Sequence, residues 1–433
     1  MIIYRARVFD TPDNPFTGGK LRSDSDVALV VDDGIIVERS AYVTARAAHP
    51  EAEVTDLRDG LLIPGMVDTH VHFPQIRAIG HLGKPLLEWL DTCALPEEMR
   101  LADNSYAAAV AREFLTGLRA AGTTAAMVFG SHFAPAMDIF FSFAAESGIR
   151  ITSGLVTSDR TLPDPLLTDV DRSVTDGQQL IDRWHGTARL RYAVTPRFSL
   201  SASPELLAAG GSLVEGNPGI WVTTHINENR DEVAGVLELH PAASDYLDTY
   251  ERAGLLSRRA VFAHNVHPRD RELARLAETG AAVAHCPTSN SSLASGFFPM
   301  RRHLDAGVRV GLGTDVGAGT GFSLLKEGVQ SYFMQRLDPA CGVALSSTHL
   351  LYLATAAGAD ALGLEEVGDL SVGKCFDAVF IRPTPGEPLD IGIQHAKEDE
   401  DVLAMLFAMG TPADIAEVWI NGDSVTGAVG RDS

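Results

Sequence analysis

The stretch "PGMVDTHVHF" (residues 64–73) decides how this chain is read. It continues the apolar run "LLI" through Met66 and Val67, the pattern of a strand buried on both faces. Side chains alternate along a strand, so His70 and His72 emerge on one side, with backbones roughly 6–7 Å apart. Two imidazoles so placed can close on one metal ion, whose bonds to nitrogen are about 2.0–2.1 Å long. An isolated His-x-His is more often an ordinary core pair. The rest of the chain has to choose between the two readings.

Working outward, the same kind of run recurs. Eight apolar stretches can be counted: "GMVDTHVHF", "TTAAMVFG", "RITSGLVTS", "LRYAVTPRF", "IWVTTHIN", "AVFAHNV", "AAVAHCP" and "RVGLGTDV". Between them lie segments with helical spacing, such as "SYAAAVAREFLTGLRAAG", "PELLAAGGSLV" and "DRELARLAETG". Eight strand–helix units predict an α/β fold, a (β/α)8 TIM barrel, over residues 61–367. The flanks have a different rhythm. "DVALVVDDGIIVERS" turns at Asp33-Gly34, and "AEVWINGDSV" turns at Asn421-Gly422, both strong hairpin signals. "DAVFIRP" between them reads as a strand. Both chain ends, residues 1–60 and 368–433, are thus expected to be small antiparallel β structure.

Chemistry in such barrels gathers at the C-terminal ends of the strands. The first strand ends in His70 and His72, the fifth in His225, the sixth in His264 and the eighth in Asp315. Three histidines and a carboxylate on separate strand ends, plus a fourth histidine, are hard to explain as core filling. Together they predict a metal site with nitrogen and oxygen donors, which suits zinc and admits iron. No lysine occurs between Lys84 and Lys326, so no lysine carbamate is available to bridge a second ion, and one metal per chain is expected.

Glu228 lies three positions after His225 and would face away from the barrel axis if the strand continued. To work with the metal, it needs the chain to leave the strand near Asn227. Arg197 and Phe198 end the fourth strand: a guanidinium there is either a salt-bridge partner or a grip on a carbonyl or anionic oxygen, and the neighbouring aromatic suits a flat ring. Gln75 is a loop amide able to donate and accept. Glu88 and Trp89 line the mouth or pack a loop helix. Cys286 reads as a small buried group, and His132 and His285 as core or loop residues.

Composition narrows the partners. The chain of 433 residues is 45% hydrophobic and 21% charged, normal for a globular enzyme. Its 35 Lys and Arg against 57 Asp and Glu give a formal charge of -22, which repels nucleic acid and anionic membranes. There is no signal-peptide core and no membrane-length apolar run. The four cysteines form no Cys-x-x-Cys pair, as suits a reducing compartment, so a cytoplasmic location is expected.

The motifs "PGMVDTHVH", "HINE", "AHN" and "GLGTD" resemble the amidohydrolase superfamily. The longer pieces "LLEWLDT", "VTPRFS", "THINENRDEV", "AHCPTSNSSLASG" and "GLGTDVGAGTGFSLL" look like its guanine deaminase family. The resemblance implies His70, His72, His225 and Asp315 as metal ligands, with His264 and Asp315 beside the reactive water. It implies Glu228 as proton shuttle. It also implies Gln75, Arg197, Phe198 and Trp89 around a purine. The resemblance further implies that the chain ends, 1–60 and 368–433, join into one small β-sandwich domain beside the barrel. The implied reaction is hydrolytic deamination of guanine in purine catabolism or salvage, by a homodimer. Deamination of another aminated heterocycle (8-oxoguanine, a pterin, a triazine) is the alternative within the superfamily. A non-catalytic barrel scaffold is the alternative outside it.

Overall fold

The protein, seen in a computed structural model, is described over residues 1–425. The last part of the expected 368–433 segment, residues 426–433, lies outside the described residues. Four strands come first: β1 (Ile2–Asp10), β2 (Arg22–Asp32), β3 (Ile35–Ser40) and β4 (Glu53–Pro64). The chain then lays down β5 (Met66–His72), β6 (Thr123–Phe129), β7 (Arg150–Ser153) and the short β8 (Val156–Thr157). Next come β9 (Leu190–Pro196), β10 (Trp221–Ile226), β11 (Ala260–His264), β12 (Ala282–His285) and β13 (Arg309–Leu312). It ends with β14 (Ala378–Ile381), β15 (Ile415–Ile420) and β16 (Asp423–Ser424).

The expected β unit from both chain ends is present as one mixed sheet of seven strands, in the order β16-β15-β14-β4-β1-β2-β3. Both turn signals fall where the sequence put them. Asp33 and Gly34 have φ of 48° and 76°, Asn421 and Gly422 of 52° and 82°, so both central residues are left-handed as a tight two-residue hairpin requires. Tyr4, Leu29, Leu62, Phe376 and Trp419 pack on one face, with Tyr4 stacked on Phe376 at 4.3 Å between ring centres.

All eight apolar runs form strands of a second, parallel sheet in the order β5-β6-β7-β9-β10-β11-β12-β13. The third run is broken into β7 and β8 around Gly154, where a Cβ would meet the Ala193 carbonyl oxygen at 1.7 Å. The sheet closes on itself after β13. Asp315 N donates to His70 O at 2.9 Å, and His72 N donates to Val316 O at 3.1 Å. The barrel floor is filled by small side chains, among them Val67, Ala125, Ala193, Val261, Ala282 and Ala284. Small residues let opposing strands fill the interior without a channel, and they leave the larger polar groups for the mouth.

The flanking helices obey the same logic. Asn104–Ala120 buries Ala107, Val110, Ala111, Phe114, Leu115 and Leu118, a single stripe at three- and four-residue spacing. Asp103 caps it by accepting from Ser105 N and Tyr106 N, which satisfies two otherwise unpaired donors. Replacing Phe114 by Ala would open a cavity under this helix at a cost of about 3–5 kcal/mol. The late helix Asp399–Met409 buries Val402, Leu403, Leu406 and Phe407 in the same core, so the chain returns to the barrel before its last strands.

A candidate metal centre at the barrel mouth

His70 and His72 end β5 side by side, 0% and 3% exposed. Their Nε2 atoms stand 3.1 Å apart, and His72 Nε2 is 3.2 Å from His225 Nε2 at the end of β10. Asp315, just after β13, brings Oδ1 to 3.4 Å from His70 Nε2 and 3.2 Å from His72 Nε2. His264, at the end of β11, brings Nε2 to 3.7 Å from Asp315 Oδ2. One donor atom each from His70, His225, His264 and Asp315 lies within 4.8 Å of all the others, and His72 Nε2 joins them at 3.1 Å from His70, 3.2 Å from His225 and 3.2 Å from Asp315.

The hydrogen bonds set which nitrogen faces inward. His225 Nδ1–H donates to the Arg197 carbonyl at 2.7 Å, and His264 Nδ1–H to Asn290 Oδ1 at 3.0 Å, leaving both Nε2 lone pairs inward. Burial pushes the proton affinities of His70 and His225 down, and that of His72 down to about 4, so these rings are neutral and their lone pairs free. Burial alone would favour a neutral Asp315. Its contacts with His70 and His72 outweigh this and hold the carboxyl well below the usual range. Nitrogens that share one ion at about 2.0–2.1 Å lie roughly 3–3.4 Å from each other, the spacing found here. Converging lone pairs repel unless a cation sits among them, so the residues present fit a divalent metal in a His3Asp site.

Three of the surrounding positions have left-handed backbones: Asn227 (φ 50°), His264 (φ 72°) and Asp315 (φ 48°). Such values cost non-glycine residues energy and persist where the surroundings fix them. Here they turn the chain sharply at the strand ends. β10 stops at Ile226, Asn227 turns, and Glu228 swings inward, as its expected role demands. The turn is held from outside. Asn227 Nδ2 donates to Asn265 Oδ1 and Glu272 Oε2, both at 3.0 Å. Glu232 Oε2 accepts from the backbone of Glu228 and Asn229, each at 3.0 Å. Glu228 Oε2 then stands 3.5 Å from His264 Nε2, while Ser295 Oγ donates to Oε1 at 3.3 Å. Burial first, and then the charges of Asp315 and Glu232, raise the Glu228 pKa well above the ordinary carboxylate value.

Beside this wall, a cavity is lined by Gln75, Trp89, Arg197, Phe198, Glu228, His72, His225, His264 and Asp315, with His70 buried just beneath. Every site residue expected from the sequence therefore meets at one mouth; Glu88 instead faces solvent. Cys286 is fully buried, and burial pushes its thiol up. His285 is buried too, stacked on Phe298 at 4.2 Å. His132, read as a core or loop residue, packs its Nδ1 3.4 Å from Glu98 Oε2, behind Arg197.

Two acids in this assembly have no part in the sequence reading. Asp68 is fully buried and accepts from Thr314 Oγ1 at 2.5 Å, Thr314 N at 3.1 Å and His70 N at 3.1 Å. It ties the His70 strand to the segment carrying Asp315. Burial pushes its pKa up to about 7, against the pull of these bonds. Its signal was present: Asp68 stands two and four positions before the paired histidines. Glu98, in the helix Leu95–Met99, bonds both Gln75 and Arg197, and nothing in the local pattern pointed to it.

A closed parallel barrel with three histidines and an aspartate at its mouth defines a metal-dependent hydrolase, and the chain belongs to the amidohydrolase family, whose model matches residues 61–425. Within that family it falls among the guanine deaminases. It is 56% identical over 432 residues to a probable guanine deaminase of Deinococcus radiodurans, covering 98% of each chain. The Escherichia coli guanine deaminase structure superposes with a TM-score of 0.94 at 36% identity, covering 98% of this chain and 99% of that one. A guanine deaminase from C. acetobutylicum, solved with guanine in its active site, superposes with a TM-score of 0.90 at 27% identity, covering 98% and 99%.

Proposed function

We infer that the protein hydrolyses guanine to xanthine and ammonia. One observation carries this beyond the family likeness: a buried, proton-hungry Glu228 stands 3.5 Å from His264 in a cavity also lined by Arg197, Gln75, Phe198 and Trp89. Those groups match a flat ring with one carbonyl oxygen. In this reading the barrel over 61–367 carries the chemistry, and residues 1–60 with the described strands after 367 form the supporting β domain, while the helix Asp399–Met409 packs back on the barrel.

His70, His72, His225 and Asp315 would hold a zinc ion, the metal their nitrogen and oxygen donors suit. Bound there, it would lower the pKa of a water from 15.7 to about 7 and so make a nucleophile at neutral pH. Asp315 and His264 would orient the attacking water toward C2, the ring carbon bearing the amino group. Glu228 would accept one proton of the water and pass it to N3, then take the remaining proton of the added hydroxyl and hand it to the amine as the C2–N bond breaks, so that ammonia leaves and the C2 carbonyl forms. The raised Glu228 pKa lets one carboxyl take and return a proton near neutrality. Arg197 donates to the O6 carbonyl, and Phe198 and Trp89 wall the ring.

The test is ammonia release across a small panel of aminated purines, pterins and triazines, with guanine absorbance followed in parallel. Guanine is expected to be the fastest substrate. An enzyme inert on guanine and active on another member would overturn the substrate assignment and leave the reaction class standing. Replacing Arg197 by Met should cost more on guanine than on 2-aminopurine, which lacks the 6-oxo group, because a site built to bond an oxygen discriminates through it.

We also read the protein as a cytoplasmic homodimer. All four cysteines are unpaired, and no described helix is long and apolar enough to cross a membrane. Phe333 and Leu337 stand exposed on the helix Leu324–Leu337 and offer a face for a second copy. Light scattering on the purified protein decides the assembly.

A further inference from the structure

We infer that Glu98 is a positioning residue that cancels the charge of Arg197 and fixes the amide of Gln75, so that the pocket prefers a neutral base over an anionic one. The inference rests on the functional reading above. Glu98 is 3% exposed and stands behind the cavity wall without lining it. Its Oε1 accepts from Gln75 Nε2 at 2.7 Å, and its Oε2 from an Arg197 guanidinium nitrogen at 2.6 Å. Gln75 and Arg197 both line the cavity. One buried carboxylate thus holds two of the groups that meet the ring.

The two bonds have different consequences. Gln75 Oε1 accepts from Gly317 N at 3.3 Å, so its amide is pinned at both ends. Turned over, it would set oxygen against the Glu98 carboxylate and NH2 against an N–H, losing both contacts. Glu98 therefore decides which face of the amide a ligand meets. Arg197 is itself 3% exposed, and a guanidinium buried alone would draw anions strongly. Paired with Glu98, it keeps its donors and loses its net charge. Around the pair stand His132 behind, and His72, His225, His264, Glu228 and Asp315 across the cavity, with no second arginine or lysine among the cavity-lining residues.

This matters for turnover. Deamination replaces an exocyclic amine by a ring carbonyl and makes the ring a stronger acid, so the product becomes an anion more readily than the substrate. A bare Arg197 would hold that anion; the neutral pair does not.

The test compares inhibition of the metal-loaded enzyme by xanthine and hypoxanthine at one mildly alkaline pH, where xanthine is largely ionised and hypoxanthine is not. The wild type should show no preference for the anion. Glu98→Gln should shift the ratio of inhibition constants toward xanthine by about tenfold or more, and raise the KM for guanine. Glu98→Asp keeps the charge, so it should keep the wild-type ratio while the KM still changes. A wild type that strongly prefers anionic xanthine overturns the inference without any variant. So does a folded Glu98→Gln with an unmoved ratio, the pattern of a merely structural role. A wild type inert on guanine would sink the functional reading, and this inference with it; an active wild type with unmoved ratios sinks only this one.

Discussion

Replacing Glu228 by Gln should move activity and stability in opposite directions. The side chain is 4% exposed. Its only hydrogen bond among the described residues is the 3.3 Å contact from Ser295 Oγ, and its second oxygen faces His264 Nε2 at 3.5 Å. Glutamine has the same shape and can still accept from Ser295, but it cannot take up a proton. A positioned proton carrier is worth about 10²–10⁴-fold, or roughly 3–5 kcal/mol of barrier, so kcat should fall by that factor with KM little changed. Stability should rise. The folded pKa of Glu228 lies above its unfolded value, because burial and the nearby Asp315 and Glu232 disfavour the charge. Above the unfolded pKa of about 4.3, the unfolded chain releases this proton while the folded chain still holds it. Stability of the wild type therefore falls as pH rises through that window, and the variant is spared the loss. Guanine absorbance reads the first effect. Urea melts of the metal-free proteins from acid to neutral pH read the second. A variant with wild-type kcat, or a metal-free variant no more stable than the wild type at pH 7, would refute the assignment of Glu228 as a buried proton carrier.

The metal centre gives two further expectations. Chelation should abolish turnover, and zinc restored to the stripped protein should bring back activity and add about 4 kcal/mol of stability at a thousandfold excess over Kd, seen as a higher melting temperature; His225→Ala should show neither recovery. Asp68→Asn keeps the acceptor that meets His70 N and Thr314 N, and turns an amide toward Thr314 Oγ1. As an outer partner of the ligands it should weaken metal affinity about 10–100-fold, seen as metal content against chelator concentration. Unchanged affinity would count against its part in registering His70 with Asp315.

Local pattern carried much of the fold and of the metal set. The eight apolar runs became the eight barrel strands because a strand covered on both faces must be apolar almost throughout. Polar residues at the ends of such runs are conspicuous, so His70, His72, His225, His264 and Asp315 could be picked out one by one. Asp33-Gly34 and Asn421-Gly422 marked their turns through backbone preference alone. Glu228 lay midway: its strand periodicity pointed it outward, and only a turn at Asn227 could rescue it. That turn is fixed by Asn265 and Glu272, which arrive from the next strand–helix unit.

The sequence by itself determined the barrel, the hairpins near both chain ends and the donor atoms of the metal site, since each follows from periodicity, turn chemistry or residue type within a few positions. Only the tertiary structure decided how those donors are held. Asp68 meets Thr314 across 246 residues, and Glu98 meets Arg197 across 99, with no spacing rule to join them. A buried carboxylate is tolerated only where donors from elsewhere in the chain converge on it, and that convergence exists only after the barrel has closed.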